Sequence, residues 1–230
     1  MRAMTKGLLD YWFKPGLRTG EVLYDLSWRG SGPMNGQPSK RLVVEQIFDR
    51  IGPTQIVETG TNRGLTTAYL AGFPVRVHTI ELDERLYGYS TMRLRHLHNV
   101  TLHLGRSVEV LRELKVEPRV LFYLDAHGDA GNMWDSVEVP LHEELVEIFS
   151  RWPSPVVLVD DFQVPGDSYS YLDRGPGRRL TPEILGEFES LSRWYPSAPA
   201  YTEPGMNTGW MVMGSDHSAV LDGIHGLRRG

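Results

Sequence analysis

The chain has 230 residues, 40% hydrophobic and 23% charged, the balance of one soluble globular domain with a full core. A formal charge of −5 without a basic stripe argues against nucleic acid as substrate, and the absence of cysteine excludes disulfides and thiol catalysis. No apolar run reaches the roughly 18 residues of a membrane span, and the N-terminal MRAMTKGLLDYWFKPG lacks the apolar core and cleavage site of a signal peptide, so a cytoplasmic protein with no membrane partner is expected.

Residues 1–36 combine the aromatics Tyr11, Trp12 and Phe13 with a glycine-rich run, RGSGPMNGQ, and read as an N-terminal cap segment of a single domain spanning 1–230. Leu42, Val43, Ile47 and Ile51 have helical spacing over 39–51, and the GP at 52–53 ends that helix. A buried strand, QIVE (55–58), then leads through a glycine turn into a short helix from Leu65 to Ala71. Strands are predicted at 75–82, 100–104, 119–124, 156–159 and finally 209–213. Helices are predicted at 83–94, at 107–114 with Ser107 as N-cap, at 141–152, and at 181–194 with Thr181 as cap and Pro182 in the first position. The basic clusters at 93–98, 177–179 and 227–229 read as solvated helix and tail surface. The 163–180 loop has the length and glycine content of a lid.

Strands alternating with helices imply a doubly wound, mostly parallel sheet with helices on both faces. Ligands of such sheets bind beyond the carboxyl ends of the strands, where the strand order reverses. Glu58, Glu81, Asp125, Asp160 and Asp161 all stand at predicted strand ends and are expected to share one crevice. The first turn reads Glu58-x-Gly60-x-x-x-Gly64, without the middle glycine of a dinucleotide fingerprint and with a carboxylate where a diphosphate would be repelled. A ligand with an ammonium group and no phosphate, such as S-adenosylmethionine (SAM), suits it better. Glu81 can accept from ribose hydroxyls, which a nicotinamide site would also use, and Gly105-Arg106-Ser107 can cap an adenine.

The ordered blocks VETGTNRGLTT, HTIELDERL, LHLGRSVEVL, LFYLDAH and VLVDDFQVPG resemble the class I SAM-dependent methyltransferases, most of all their metal-dependent catechol-type O-methyltransferases. The resemblance covers a little over half the chain, from about Met34 to Gly166. It implies a Rossmann-like α/β fold with a seven-stranded sheet. It also implies that Glu58, Gly60, Thr61, Asn62 and Gly64 hold the methionyl part, that Glu81 and Leu82 meet the ribose, and that Gly105, Arg106 and Ser107 meet the adenine. Asp125 would border the cofactor, and the MNG segment (34–36) would lie near it. The sequence leaves a homodimer open and does not specify the oligomeric state.

Asp125 and the pair Asp160-Asp161 end two apolar strands. If those strands are neighbours, their backbones lie about 4.8 Å apart and the carboxylates repel one another unless a cation or proton intervenes. A hard oxygen site of this kind suits Mg²⁺, and in the family resembled the three matching positions are its ligands. Capping or arginine pairing would be an ordinary use of any one of them. Asp129 and Asp135 are weaker ligand candidates, while Trp134, Tyr169, Tyr171, Arg178 and Arg179 are candidates for the acceptor pocket. His127, two residues past Asp125, is the best candidate for a general base, and these two are the candidate catalytic residues; the catechol-type lysine three residues past the acid is Gly128 here, a departure from that family. The expected activity is therefore Mg²⁺-dependent O-methylation of a small hydroxylated acceptor. The rivals are N-methylation or a cephalosporin hydroxylase-like tailoring activity on the same fold, a nicotinamide oxidoreductase, and a non-catalytic SAM-binding scaffold.

Overall fold

The computed structural model describes residues 32–127, 139–214 and 216–230. The runs QIV, VLFYL and VVLV carry apolar side chains toward both faces, so each becomes a strand buried along its whole length. These are β1 (Gln55–Thr59), β4 (Val120–Leu124) and β5 (Val156–Asp160). With β2 (Arg76–Glu81), β3 (Val100–Leu104), β6 (Arg193–Pro196), β7 (Trp210–Met213) and β8 (Leu227–Arg229) they form one sheet of order β3-β2-β1-β4-β5-β7-β6-β8. The first five strands in that order are mutually parallel, and the pairs β5·β7, β7·β6 and β6·β8 are antiparallel.

Helices α1 (Pro38–Ile51), α2 (Leu65–Leu70), α3 (Glu84–Leu94), α4 (Ser107–Glu113), α5 (Leu141–Arg151) and α6 (Ser218–Asp222) connect and cover the sheet. Alternate side chains of each central strand enter one of two cores. Val57, Phe122 and Val157 pack with Leu111, Leu145 and Ile148 of α4 and α5. Ile56, Leu121 and Leu158 pack with Val43, Val44 and Ile47 of α1. Among the described residues no helix is long and apolar enough to cross a membrane.

Among the described residues the sheet has eight strands where seven are expected, and β6 and β8 lie in the C-terminal third. The stretch 181–194 is not an α-helix: Pro182–Ser190 winds as 3-10, kinks at Gly186 (φ 55°), and gives way to β6. The LRR run at 227–229 is an edge strand, with Arg228 and Arg229 lying over the rings of Tyr195 and Trp194. The 163–180 loop is tied down by backbone bonds from Gln163 N to Leu180 O, Leu172 N to Asp161 O and Ser170 N to Asn207 O. Tyr169 belongs to the core and donates its hydroxyl to Ala198 O. Tyr11, Trp12, Phe13, Gly128, Asp129, Trp134 and Asp135 lie outside the described residues.

Candidate functional site

The order reverses between β1 and β4, which both pair in parallel register, so their carboxyl ends and those of β2 and β5 open on one edge. On the β1 side, Glu58 is fully buried, and its Oε2 accepts from Thr67 Oγ1 at 2.5 Å and Thr79 Oγ1 at 2.6 Å. Thr61 Oγ1 lies 2.6 Å from the same Thr79 hydroxyl. Burial pushes the Glu58 carboxyl up to about 7, against the two threonine bonds and with a small contribution from Glu81. Its Oε1 has no hydrogen-bond partner among the described residues.

Glu81 closes the turn from the next strand. Its Oε2 accepts from Asn62 N at 2.7 Å and its Oε1 from Asp83 N at 2.9 Å, while burial raises its pKa. Asn62 (φ 49°) and Gly64 (φ 72°) are left-handed, so the turn doubles back before α2 begins. Gly60 meets a tighter constraint: a Cβ there would lie 2.3 Å from Asp125 O. The first glycine therefore lets the β1 turn pack against the end of β4, a packing reason independent of any ligand. Leu82 is half-exposed beside this edge. Gly105 N donates to Glu81 O at 2.9 Å. Arg106, and not Ser107, is the N-cap of α4; Ser107 is its first residue and turns its hydroxyl to the buried Glu144.

The β4–β5 side is built differently. Asp160 is wholly buried, and Lys40 of α1, equally buried, places Nζ 2.5 Å from its Oδ1. The hydroxyl of Tyr123 donates to Oδ2, Asp161 N donates to Oδ1 at 2.9 Å, and Asn35 Nδ2 approaches Oδ2 at 3.4 Å. Burial alone would raise the Asp160 carboxyl, but the Lys40 ammonium and these bonds outweigh it and hold the pKa below its ordinary value. The MNG segment is part of the same arrangement, with Met34 N bonded to Thr66 Oγ1 at 3.0 Å and Asn35 Nδ2 to Thr208 Oγ1 at 3.2 Å. Met34 (φ 56°) and Asn35 (φ 59°) are both left-handed, a strained turn pinned from several directions.

Asp161 (φ 51°) is, with Asn62, Met34 and Asn35, the fourth left-handed non-glycine residue among the described residues. The structure gathers Asp161 with Asp125 and His127, one ligand atom from each lying within 4.8 Å of the others. His127 Nε2 is 3.5 Å from Asp125 Oδ1 and 3.8 Å from Asp161 Oδ2. His127 is 2% exposed while the two carboxylates are about a quarter exposed, so the cluster has a buried floor and an open rim. Nε2 of His127 and Oδ1 of Asp161 are buried without a hydrogen-bond partner among the described residues. Burial pulls the imidazole down to about 4, while burial and then Asp160 push Asp161 up to about 6 and Asp125 well above its ordinary value. Electron-rich atoms converging without hydrogen bonds between them fit a shared cation or proton. Of the expected ligands Asp125, Asp160 and Asp161, the first and last share a cluster with His127, while Asp160 is bonded to Lys40. Lys40 was missed, although its place on the apolar stripe 40-43-44-47 of α1 marks it as inward-facing.

No protein-family model matches the sequence, and a search of curated proteins found no relative. Solved structures do match the fold. An O-methyltransferase from Bacillus cereus in complex with SAH superposes with TM-score 0.56 at 15% identity over 85% of this chain and 88% of its own. A Klebsiella pneumoniae protein assigned as an O-methyltransferase gives 0.55 at 17% identity over 92% and 96%. SAM-bound CalS10, an amino pentose methyltransferase from Micromonospora echinaspora, gives 0.52 at 12% identity over 84% and 96%. The chain thus shares the Rossmann-like α/β fold of these solved methyltransferase structures.

Proposed function

We propose that the protein is a SAM-dependent methyltransferase acting on a hydroxyl of a small molecule, with a divalent ion at Asp125 and Asp161. The observation that carries this reading is the placement of an acidic glycine turn directly against the end of β4, where the Asp125–His127–Asp161 cluster begins. The turn offers Glu58 Oε1 as a buried, unused acceptor for an ammonium group. The carboxyl of Glu81 retains lone pairs for ribose hydroxyls beyond the two backbone bonds it already accepts.

Bound SAM would supply the methyl group and depart as the neutral thioether, and the acceptor hydroxyl would give its proton to solvent at the open rim of the cluster. His127 alone is a weak base for this: at about 4 it stands some six units below a phenol of pKa about 10, a gap of about 8 kcal/mol. A divalent ion at the cluster would lower the acceptor's pKa and stabilise its oxyanion. Asp125 and Asp161 would hold it, the Lys40–Asp160 pair would keep the adjacent strand end electrically neutral, and buried Met34 would help close the edge to water.

Calorimetric titration of the purified protein with S-adenosylhomocysteine tests the cofactor. Micromolar binding is expected, and no binding at millimolar ligand in folded, cofactor-free protein would overturn the reading. Methyl transfer to a panel of phenols and sugars should be abolished by EDTA and restored by a divalent ion. Transfer to amines that survives EDTA would replace the oxygen acceptor with nitrogen.

A further inference from the structure

We infer that the Asp125–His127–Asp161 cluster is a mixed nitrogen–oxygen centre selective for a first-row transition-metal ion such as Mn²⁺ or Co²⁺ over Mg²⁺, and that Lys40 keeps Asp160 out of it. This rests on the reading that the cluster holds a divalent ion. The argument begins with the imidazole. Two ligand atoms each about 2.1 Å from one ion lie roughly 3.0 to 4.2 Å apart as the angle between them opens from 90° to 180°. The separations from His127 Nε2 to Asp125 Oδ1 and Asp161 Oδ2, 3.5 and 3.8 Å, fall within that span. Nε2 is buried and, among the described residues, unpartnered, and it faces both carboxylates. A histidine needed only for packing would normally bond its ring nitrogens elsewhere.

The second part concerns the carboxylate that is removed. Three carboxylates would make an all-oxygen site of the kind Mg²⁺ prefers. Here one of the three is neutralised by a buried ammonium at 2.5 Å and further occupied by the Tyr123 hydroxyl and Asp161 N. Replacing a carboxylate oxygen by an imidazole nitrogen shifts preference away from Mg²⁺, which takes hard oxygen ligands, toward Mn²⁺, Co²⁺ and the later ions. Asp161 supports the exchange: its backbone is left-handed, and its Oδ2 lies 3.8 Å from His127 Nε2.

The test is calorimetric titration of EDTA-stripped, full-length protein with Mg²⁺, Mn²⁺ and Co²⁺, without cofactor or acceptor, alongside pulsed EPR of the Mn²⁺ form for coupling to a directly bound nitrogen. Mn²⁺ and Co²⁺ should bind at least tenfold more tightly than Mg²⁺, and the nitrogen coupling should be present. His127→Gln should lose the coupling and at least tenfold in Co²⁺ affinity, with Mg²⁺ affinity within about threefold of wild type. The double variant Lys40→Met/Asp160→Asn, which removes the buried pair together, should retain Co²⁺ affinity. Equal affinity for Mg²⁺, absence of the nitrogen coupling, or loss of Co²⁺ in the folded double variant would each overturn the assignment. A parallel titration with S-adenosylhomocysteine separates the two readings. Cofactor binding without transition-metal preference sinks only this inference, and metal binding without cofactor sinks only the methyltransferase.

Discussion

The two sides of the β1/β4 switch point handle buried charge in opposite ways. On the β1–β2 side, Glu58 and Glu81 are embedded in hydroxyl and backbone donors, from Thr67 and Thr79 and from the amides of Asn62 and Asp83. On the β4–β5 side, Asp160 is bonded on both oxygens, while Asp125, His127 and Asp161 face one another across unbridged gaps. The first side is an assembled polar network whose shape is fixed before any ligand arrives. The second keeps repulsion that a positive charge would relieve. In a fold whose ligands gather at the strand ends, the proposed function assigns the first side to the organic ligand and the second to a cation.

The division breaks most visibly at the internal ion pair. Lys40→Met leaves a carboxylate with 0% exposure and no counter-charge, and should destabilise the protein by about 3–5 kcal/mol in urea denaturation at pH 7.5. The double variant Lys40→Met/Asp160→Asn should recover most of that loss. The sign with pH is defined. Asp160 has a depressed folded-state pKa, so its contribution is present above the ordinary carboxylate range and is lost as pH falls through the folded value. A single variant as stable as wild type would make the pair a bystander.

The next largest effect has the opposite sign. Burial lifts Glu144 from 4.5 to about 7, with the Ser107 hydroxyl opposing. A carboxyl raised on folding contributes stability below its unfolded pKa, and that contribution disappears as pH rises through the folded value. Glu144→Gln removes the penalty on the charged form and should therefore stabilise the protein by about 2–3 kcal/mol at pH 8 and by almost nothing at pH 4. Thermal melts at the two pH values check this. A variant that melts lower at pH 8 would mean that the ionised form carries a bond the network requires.

Sequence patterning finds these two halves unequally, for physical reasons. The central parallel strands β1, β4 and β5 are buried on both faces and stand out in sequence with the carboxylates at or just past their ends. β8 is legible only as a charged tail, because an edge strand may carry Arg228 and Arg229 so long as their stems lie over aromatic rings. The 3-10 segment at 182–190 reads as α-helix because its apolar spacing is right, and only the positive φ at Gly186 breaks the turn. The cation side is ambiguous in one dimension: a strand-end Asp-Asp pair does not reveal which carboxylate meets an ammonium arriving from 120 residues away.

A smaller effect tests the contact between the halves. Gly60→Ala places a methyl 2.3 Å from Asp125 O at a φ of +85°, so the backbone of one side must move. About 1–3 kcal/mol of stability should be lost, and affinity for S-adenosylhomocysteine and for Co²⁺ should fall together. Loss of one affinity alone would show that the two halves are not mechanically joined at that glycine.

The smallest expected effect is the most specific to the cofactor half. Both oxygens of Glu81 already accept a backbone N–H, so the residue has a structural task whether or not a ribose binds. Glu81→Gln keeps one carbonyl oxygen for the turn and places an NH₂ where the other carboxylate oxygen stood. If Glu81 also accepts from the ribose hydroxyls, the variant should bind S-adenosylhomocysteine about fivefold to tenfold more weakly, roughly 1–1.4 kcal/mol, and should melt lower as well, because one of the two backbone N–H groups then faces the NH₂. A 2′,3′-dideoxy analogue separates the two tasks through a double-mutant cycle. Wild type should lose affinity for the analogue, and Glu81→Gln should lose little more, because the interaction is already gone. Additive losses, or undiminished affinity of the variant for S-adenosylhomocysteine, would leave Glu81 as the anchor of a turn and move the search for the ribose acceptor to other residues of that edge.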